Sequence, residues 1–112
     1  MIGLMKVRTI IIIDVIDIYE ISYDEMIKLI DKWSTDKKVD HFLFFTKKDD
    51  SYICVDNEAG AFIIDTLNSR DKAICWLLRN DYSSKEINRL QEIEVRKLLR
   101  KQKYEVINRR SK

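Results

Sequence analysis

A chain of 112 residues, 46% apolar and 36% charged, has the material for one hydrophobic core and enough charge to stay solvated, which excludes an intrinsically disordered tract. Its apolar runs, such as Ile10 to Ile13, are far short of the roughly 20 residues a membrane helix requires. Met1 to Met5 is followed by Lys6 and Arg8 with no small-residue cleavage site, so no secretory signal is expected and the cytoplasm is the expected location.

The net charge of +2 conceals an asymmetry. Lys85 to Lys112 holds ten Lys or Arg against four Glu, a net of +6, so the preceding residues carry −4. The only two cysteines, Cys54 and Cys75, sit in apolar runs; they are too few for a disulfide framework or a zinc site and read as buried free thiols. Seventeen Ile and thirteen Lys against three Ala and no Pro is the usage of an AT-rich genome, which favours a phage or mobile element of a low-GC bacterium.

In chain order, Val7 to Ile18 is dense in β-branched residues and apolar on both alternating faces, as a central strand is, with a bulge or bend expected near Asp14 to Asp17. Ser22-Tyr23-Asp24-Glu25 is a capping box, Ile21 and Met26 occupy the positions of a hydrophobic staple, and Met26, Ile27, Leu29, Ile30 and Trp33 continue at helical spacing. Val39 to Thr46, Ser51 to Val55 and Ala61 to Asp65 read as an antiparallel meander, with a polar first turn and a second turn in which Gly60 supplies a positive φ.

Asn68 is placed to cap a second helix with Asp71 near its start and Ala73, Ile74, Leu77 and Leu78 on its apolar face. Ser83-Ser84-Lys85-Glu86 repeats the capping box, and Tyr82 and Ile87 repeat the staple. A last helix is expected from there to about Lys103, along an irregular stripe of Ile87, Leu90, Val95, Leu98 and Leu99. The predicted fold is therefore α+β, a small antiparallel sheet of about four strands with helices packed on one face, in the order β-α-β-β-β-α-α. Residues 1–82 form its body, and residues 83–112 a basic helix and tail belonging to the same domain.

On one continuous helix Lys85, Arg89, Arg96, Arg100 and Lys103 fall within about one-sixth of a turn, opposite the apolar stripe, at 100° per residue. Such a ridge neutralises phosphates, docks on an acidic protein groove, or is ordinary solvated surface. Arg109, Arg110 and Lys112 extend the charge into the tail. Aromatic side chains read mostly as core, with Phe42 and Phe44 on one strand face and Leu43 and Phe45 on the other; Tyr52, beside Lys47 and Lys48, is the best exposed candidate for base stacking.

The helix at Asp24 to Trp33, the three strands and the helix at Ser69 to Arg79 resemble, in order alone, the α-β-β-β-α layout of double-stranded-RNA-binding domains. That family's Gly-Pro-x-His loop and Lys-rich start of its second helix are replaced here by Asp56-Asn57-Glu58-Ala59-Gly60 and Ser69-Arg70-Asp71-Lys72, so no functional residue carries over. The resemblance would imply double-stranded RNA as a ligand.

For catalysis the inventory is thin. His41, the only histidine, lies in an apolar run, a setting that suits a hydrogen-bonded structural residue better than a general base. Asp14, Asp17 and Glu20 offer oxygen ligands for Mg²⁺ without the further acids of a two-metal site. Gly3 and Gly60 cannot build a phosphate-cradling loop.

The expectation is a non-catalytic binding protein without cofactor, encoded by a phage or mobile element. It would occupy a surface on a host protein or nucleoprotein, a CRISPR-type nuclease being an example. The alternative is a small nucleic-acid-binding regulator that lays its last helix against phosphates. A homodimer formed through that helix is a third reading, for which exposed Leu98 and Leu99 would be the sign.

Overall fold

A computed structural model describes residues 15–36, 42–58, 62–78 and 81–108. Their elements are β1 (Ile16–Glu20), α1 (Tyr23–Asp36), β2 (Leu43–Lys48), β3 (Ser51–Asp56), β4 (Ile63–Leu67), α2 (Arg70–Leu78), α3 (Ser84–Asn88), α4 (Glu92–Arg100) and β5 (Tyr104–Asn108). The part of the expected Val7 to Ile18 strand that precedes Val15, together with His41 and the turn glycine Gly60, lies outside the described residues.

The meander forms as expected. Lys48 faces Ser51 across a tight turn, and Phe44 faces Val55, which in turn faces Ile64. In the first turn Asp49 has a positive φ of 57°, and the short polar side chain of Asp tolerates the left-handed region better than most.

The rest of the sheet departs from the prediction. Among the described residues it is mixed and has five strands in the order β4-β3-β2-β1-β5. β1 pairs in parallel with β2 on one side and with β5 on the other. Parallel neighbours need a crossover, and α1 supplies it between β1 and β2.

Helices cover both faces, not one. Phe44 of β2 and Val55 of β3 are buried with Ile21 and Met26 beneath α1. Leu43 and Phe45, pointing the other way from β2, join Ile18, Cys54 and Leu67 under α2, α3 and α4. A strand buried on both faces explains why Phe42-Leu43-Phe44-Phe45 is continuously apolar. α2 is buried from Lys72 to Leu77, because the sheet lies on one side of it and α4 on the other; such a helix needs apolar residues all round rather than a stripe.

The Ser22 half of the predicted capping box is made at α1 and the whole box at α3. Ser22 Oγ accepts the Glu25 N–H at 3.1 Å. Ser83 Oγ accepts the Glu86 N–H at 3.1 Å while Glu86 Oε1 accepts the Ser83 N–H at 2.9 Å. At α2 the cap shifts by one residue: Ser69 Oγ accepts the Lys72 N–H at 3.2 Å, and the Asn68 N–H donates instead to Asn88 Oδ1 at 2.9 Å.

The single last helix is not formed. α3 closes at its C-cap Arg89, and Glu94 Oε1 accepts the Gln91 N–H at 2.9 Å to open α4 as a new helix. α4 ends at its C-cap Lys101, after which Tyr104-Glu105-Val106-Ile107-Asn108 enters the sheet instead of extending a helix. Val95 and Leu99 of α4 are buried in the same cluster as Ile18 of β1.

Candidate functional site

α4 takes its orientation from Val95 and Leu99, which point into the core. At 100° per residue this turns Ile93, Arg96, Lys97 and Arg100 outward together on one stripe. All four are exposed, Ile93 at 53%. Arg96, Lys97 and Arg100 make no hydrogen bond and no ion pair among the described residues. The acidic first turn, Glu92 and Glu94, and the basic last turn, Lys97 and Arg100, both complement the helix dipole.

Arg96 and Arg100 flank an open hollow of about 270 Å³ whose other lining residues are Asp71, Leu99 and Tyr104. It therefore lies where the start of α2, the outer face of α4 and the first residue of β5 meet.

The predicted ridge is thus brought together only in part. Arg96 and Arg100 share the hollow, and Lys103 sits in the turn just before β5, its backbone C=O accepting the Ile16 N–H at 3.0 Å. Lys85 and Arg89 are exposed but belong to α3, so the break at Arg89 to Gln91 takes them off the helix that carries the rest. Arg109 and Arg110 lie outside the described residues. Lys97 and Tyr104 are the additions that a single-helix reading missed. Lys97 falls outside the one-sixth turn drawn from Lys85, and Tyr104 lies just beyond the helix expected to about Lys103.

A second groove, of about 450 Å³, runs along the α3–α4 corner between Tyr82, Glu86, Leu90, Glu94, Lys97 and Leu98. Its two glutamates are the capping residues of α3 and α4. Hydrogen bonds from the Ser83 N–H and side chain hold the Glu86 carboxyl below the usual carboxylate range. Leu99 is buried and Leu98 half-buried against the core, so neither supplies the exposed apolar seam of a helix-mediated dimer.

Other sequence candidates are built into the fold. Tyr52 is half-buried, packed on the core with its ring 6.2 Å from that of Phe45, and is not an open stacking platform. Asp17 and Glu20, three residues apart on β1, point to opposite sides of the sheet, and Glu20 pairs with Arg70 at 3.1 Å. Asp14 lies outside the described residues. Among the described residues no group of three or more His, Cys, Asp or Glu side chains is arranged to hold a metal ion. No described helix is long and apolar enough to cross a membrane. Both cysteines are free and buried, and burial, helped by the charge of Asp65, pushes the Cys54 thiol far up.

Comparison with protein-family models, with curated proteins and with solved structures gave no match.

Proposed function

We propose that this chain is a non-catalytic binding domain that docks the cationic outer face of α4 on an acidic surface of a partner protein or nucleoprotein. The observation that carries the reading is the stripe of Arg96, Lys97 and Arg100, exposed and in no hydrogen bond or ion pair among the described residues, although Asp71 lines the same hollow as the two arginines. Charged side chains that are part of a fold's own ion-pair network are partly neutralised before any partner arrives. These three keep their full donor capacity, and Arg presents it in a planar fork matched to carboxylate or phosphate. Ile93 beside them gives the face an apolar anchor, which a purely electrostatic contact would not need.

The test uses polyglutamate and mixed single- and double-stranded DNA and RNA as anionic probes. Each is titrated across a salt series into the full chain and into the triple variant Arg96→Glu, Lys97→Glu, Arg100→Glu. Binding of the acidic polypeptide by the parent and its loss in the folded variant supports the reading. Tight binding of nucleic acid with a steep salt dependence transfers the face to phosphate recognition. The reading is overturned if no probe binds at low salt, if the triple variant binds as the parent does, or if any nucleic acid is turned over.

A further inference from the structure

β5 is an edge strand: among the described residues it pairs with β1 alone. The Ile16 N–H bonds the Lys103 C=O at 3.0 Å, and the parallel register sets Ile16 against Tyr104, Asp17 against Glu105 and Ile18 against Val106. In a parallel ladder alternate residues bond to a given neighbour, so Glu105 and Ile107 turn their N–H and C=O toward β1. Tyr104, Val106 and Asn108 then turn theirs outward, three donors and three acceptors in a row. No Pro, and no lysine within the strand, blunts this edge, as exposed edges usually require.

The side chains of Tyr104 and Val106 lie on the sheet face that α2, α3 and α4 cover, and Tyr104 lines the hollow with Arg96 and Arg100. A strand added about 4.8 Å beyond β5 would direct every second side chain to that same face, on which Tyr104 shares the hollow with Arg96 and Arg100. Its intervening side chains would lie beside Glu105 and the half-buried Ile107 on the other face.

From this juxtaposition we infer that the partner contributes an extended segment that joins the sheet at β5. Its acidic residues at alternate positions meet Arg96 and Arg100, and apolar or uncharged residues stand between them. The inference rests on the binding reading above and names the partner's chemistry: an acidic β-strand of another protein. A second copy of this chain fits less well. Antiparallel pairing about Val106 across a two-fold axis would set both α4 helices on the same side of the joined sheet, bringing two cationic faces to one seam.

The probe is the heptapeptide acetyl-Thr-Glu-Val-Glu-Val-Glu-Thr-amide, followed by fluorescence anisotropy against the full chain. Two derivatives are N-methylated, one at its three glutamates and the other at its two valines. Only one alternate set of peptide amides can face β5, so one derivative should lose at least tenfold in affinity while the other binds as the parent does. Loss in the glutamate set means antiparallel addition and loss in the valine set means parallel addition. Amide exchange should also slow at Tyr104, Val106 and Asn108 on binding. Arg96→Glu with Arg100→Glu should weaken the parent peptide at least tenfold.

If both methylated peptides bind as well as the parent, or the parent peptide fails while polyglutamate binds, strand addition is overturned and the cationic-face reading stands. If neither peptide nor any other anionic probe binds, both fall together.

Discussion

Lys72 is a lysine with only 7% of its surface exposed, and its position explains how a chain without Pro, and with only two Gly, holds two helices at a fixed corner. Its Nζ donates to the Asn88 C=O, at the end of α3, at 2.9 Å, and lies 3.9 Å from Glu92 in the first turn of α4. A cation at a helix C-terminus is favoured by the dipole, and here it also satisfies a carbonyl that the end of α3 would leave open. The Asn88 side chain fastens the same corner to the sheet by accepting the Asn68 N–H at 2.9 Å and donating to the Thr66 C=O at 3.3 Å. Lys72→Met keeps the bulk but removes the charge-assisted bond, and should cost about 1–3 kcal/mol in urea unfolding; an unchanged midpoint would show that the corner is held by packing alone. The thiols make a second residue-scale test. With both cysteines buried and the Cys54 thiolate disfavoured by burial, a water-soluble thiol reagent should label neither in the native protein and both in denaturant.

Glu86 supplies the pH prediction at the same scale. Its carboxyl lies below its ordinary pKa because the ionised form accepts the Ser83 hydrogen bonds. The folded-state value is the lower one, so the stabilisation is complete above the unfolded-state pKa and is lost as pH falls through the folded-state value. Glu86→Gln should therefore be less stable than the parent at neutral pH, with the difference shrinking as the solution is taken through the carboxylate range into acid. A gap that stayed constant with pH would assign the effect to packing instead of the charge.

At the scale of elements, what the sequence made legible was local chemistry. Ser22/Glu25 and Ser83/Glu86 each fix a helix start through a hydrogen bond between neighbours three apart, and Ile21 with Met26 and Tyr82 with Ile87 do pack as staples. The meander follows from turn residues between β-rich runs. What was not legible depends on partners distant in sequence. Nothing local to Ile16-Asp17-Ile18-Tyr19-Glu20 says that its two neighbours run parallel to it, although a strand, a helix and a strand in succession permit the crossover. Near the C-terminus the run of charged helix formers from Glu92 to Lys103 masked two signals. The step of five positions from Leu90 to Val95 breaks the helical spacing of the core-facing stripe, and Tyr104, Val106 and Ile107 prefer strand. The error mattered for the candidate site, since it placed Lys85 and Arg89 in line with Arg96 and Arg100 and hid the strand edge beside them. β5 is also the element with a direct stability test. A chain ending at Gln102 loses the pairing with β1 and the packing of Tyr104 and Val106, so its denaturation midpoint should fall by the equivalent of about 3 kcal/mol or more. An unshifted midpoint would mean that β5 is not docked in solution.

For the whole molecule, the decisive property is that the residues which hold the fold and those proposed to bind are different sets on the same helix. Val95 and Leu99 point inward; Arg96, Lys97 and Arg100 point outward and form no ion pair among the described residues. Substitution of exposed side chains that contact nothing usually changes stability by less than about 0.5 kcal/mol, and three like charges within two turns repel one another. The triple charge reversal should therefore leave the unfolding midpoint unchanged at moderate salt while abolishing binding to anionic probes. The reversed residues do add negative charge near the end of α4, which the helix dipole disfavours, so the comparison belongs at an ionic strength where such surface terms are screened. If the variant loses its cooperative unfolding transition, α4's outer face is part of what holds the fold together. If it unfolds as the parent does and no longer binds, recognition and folding are separable here, which is what a surface kept for a partner requires.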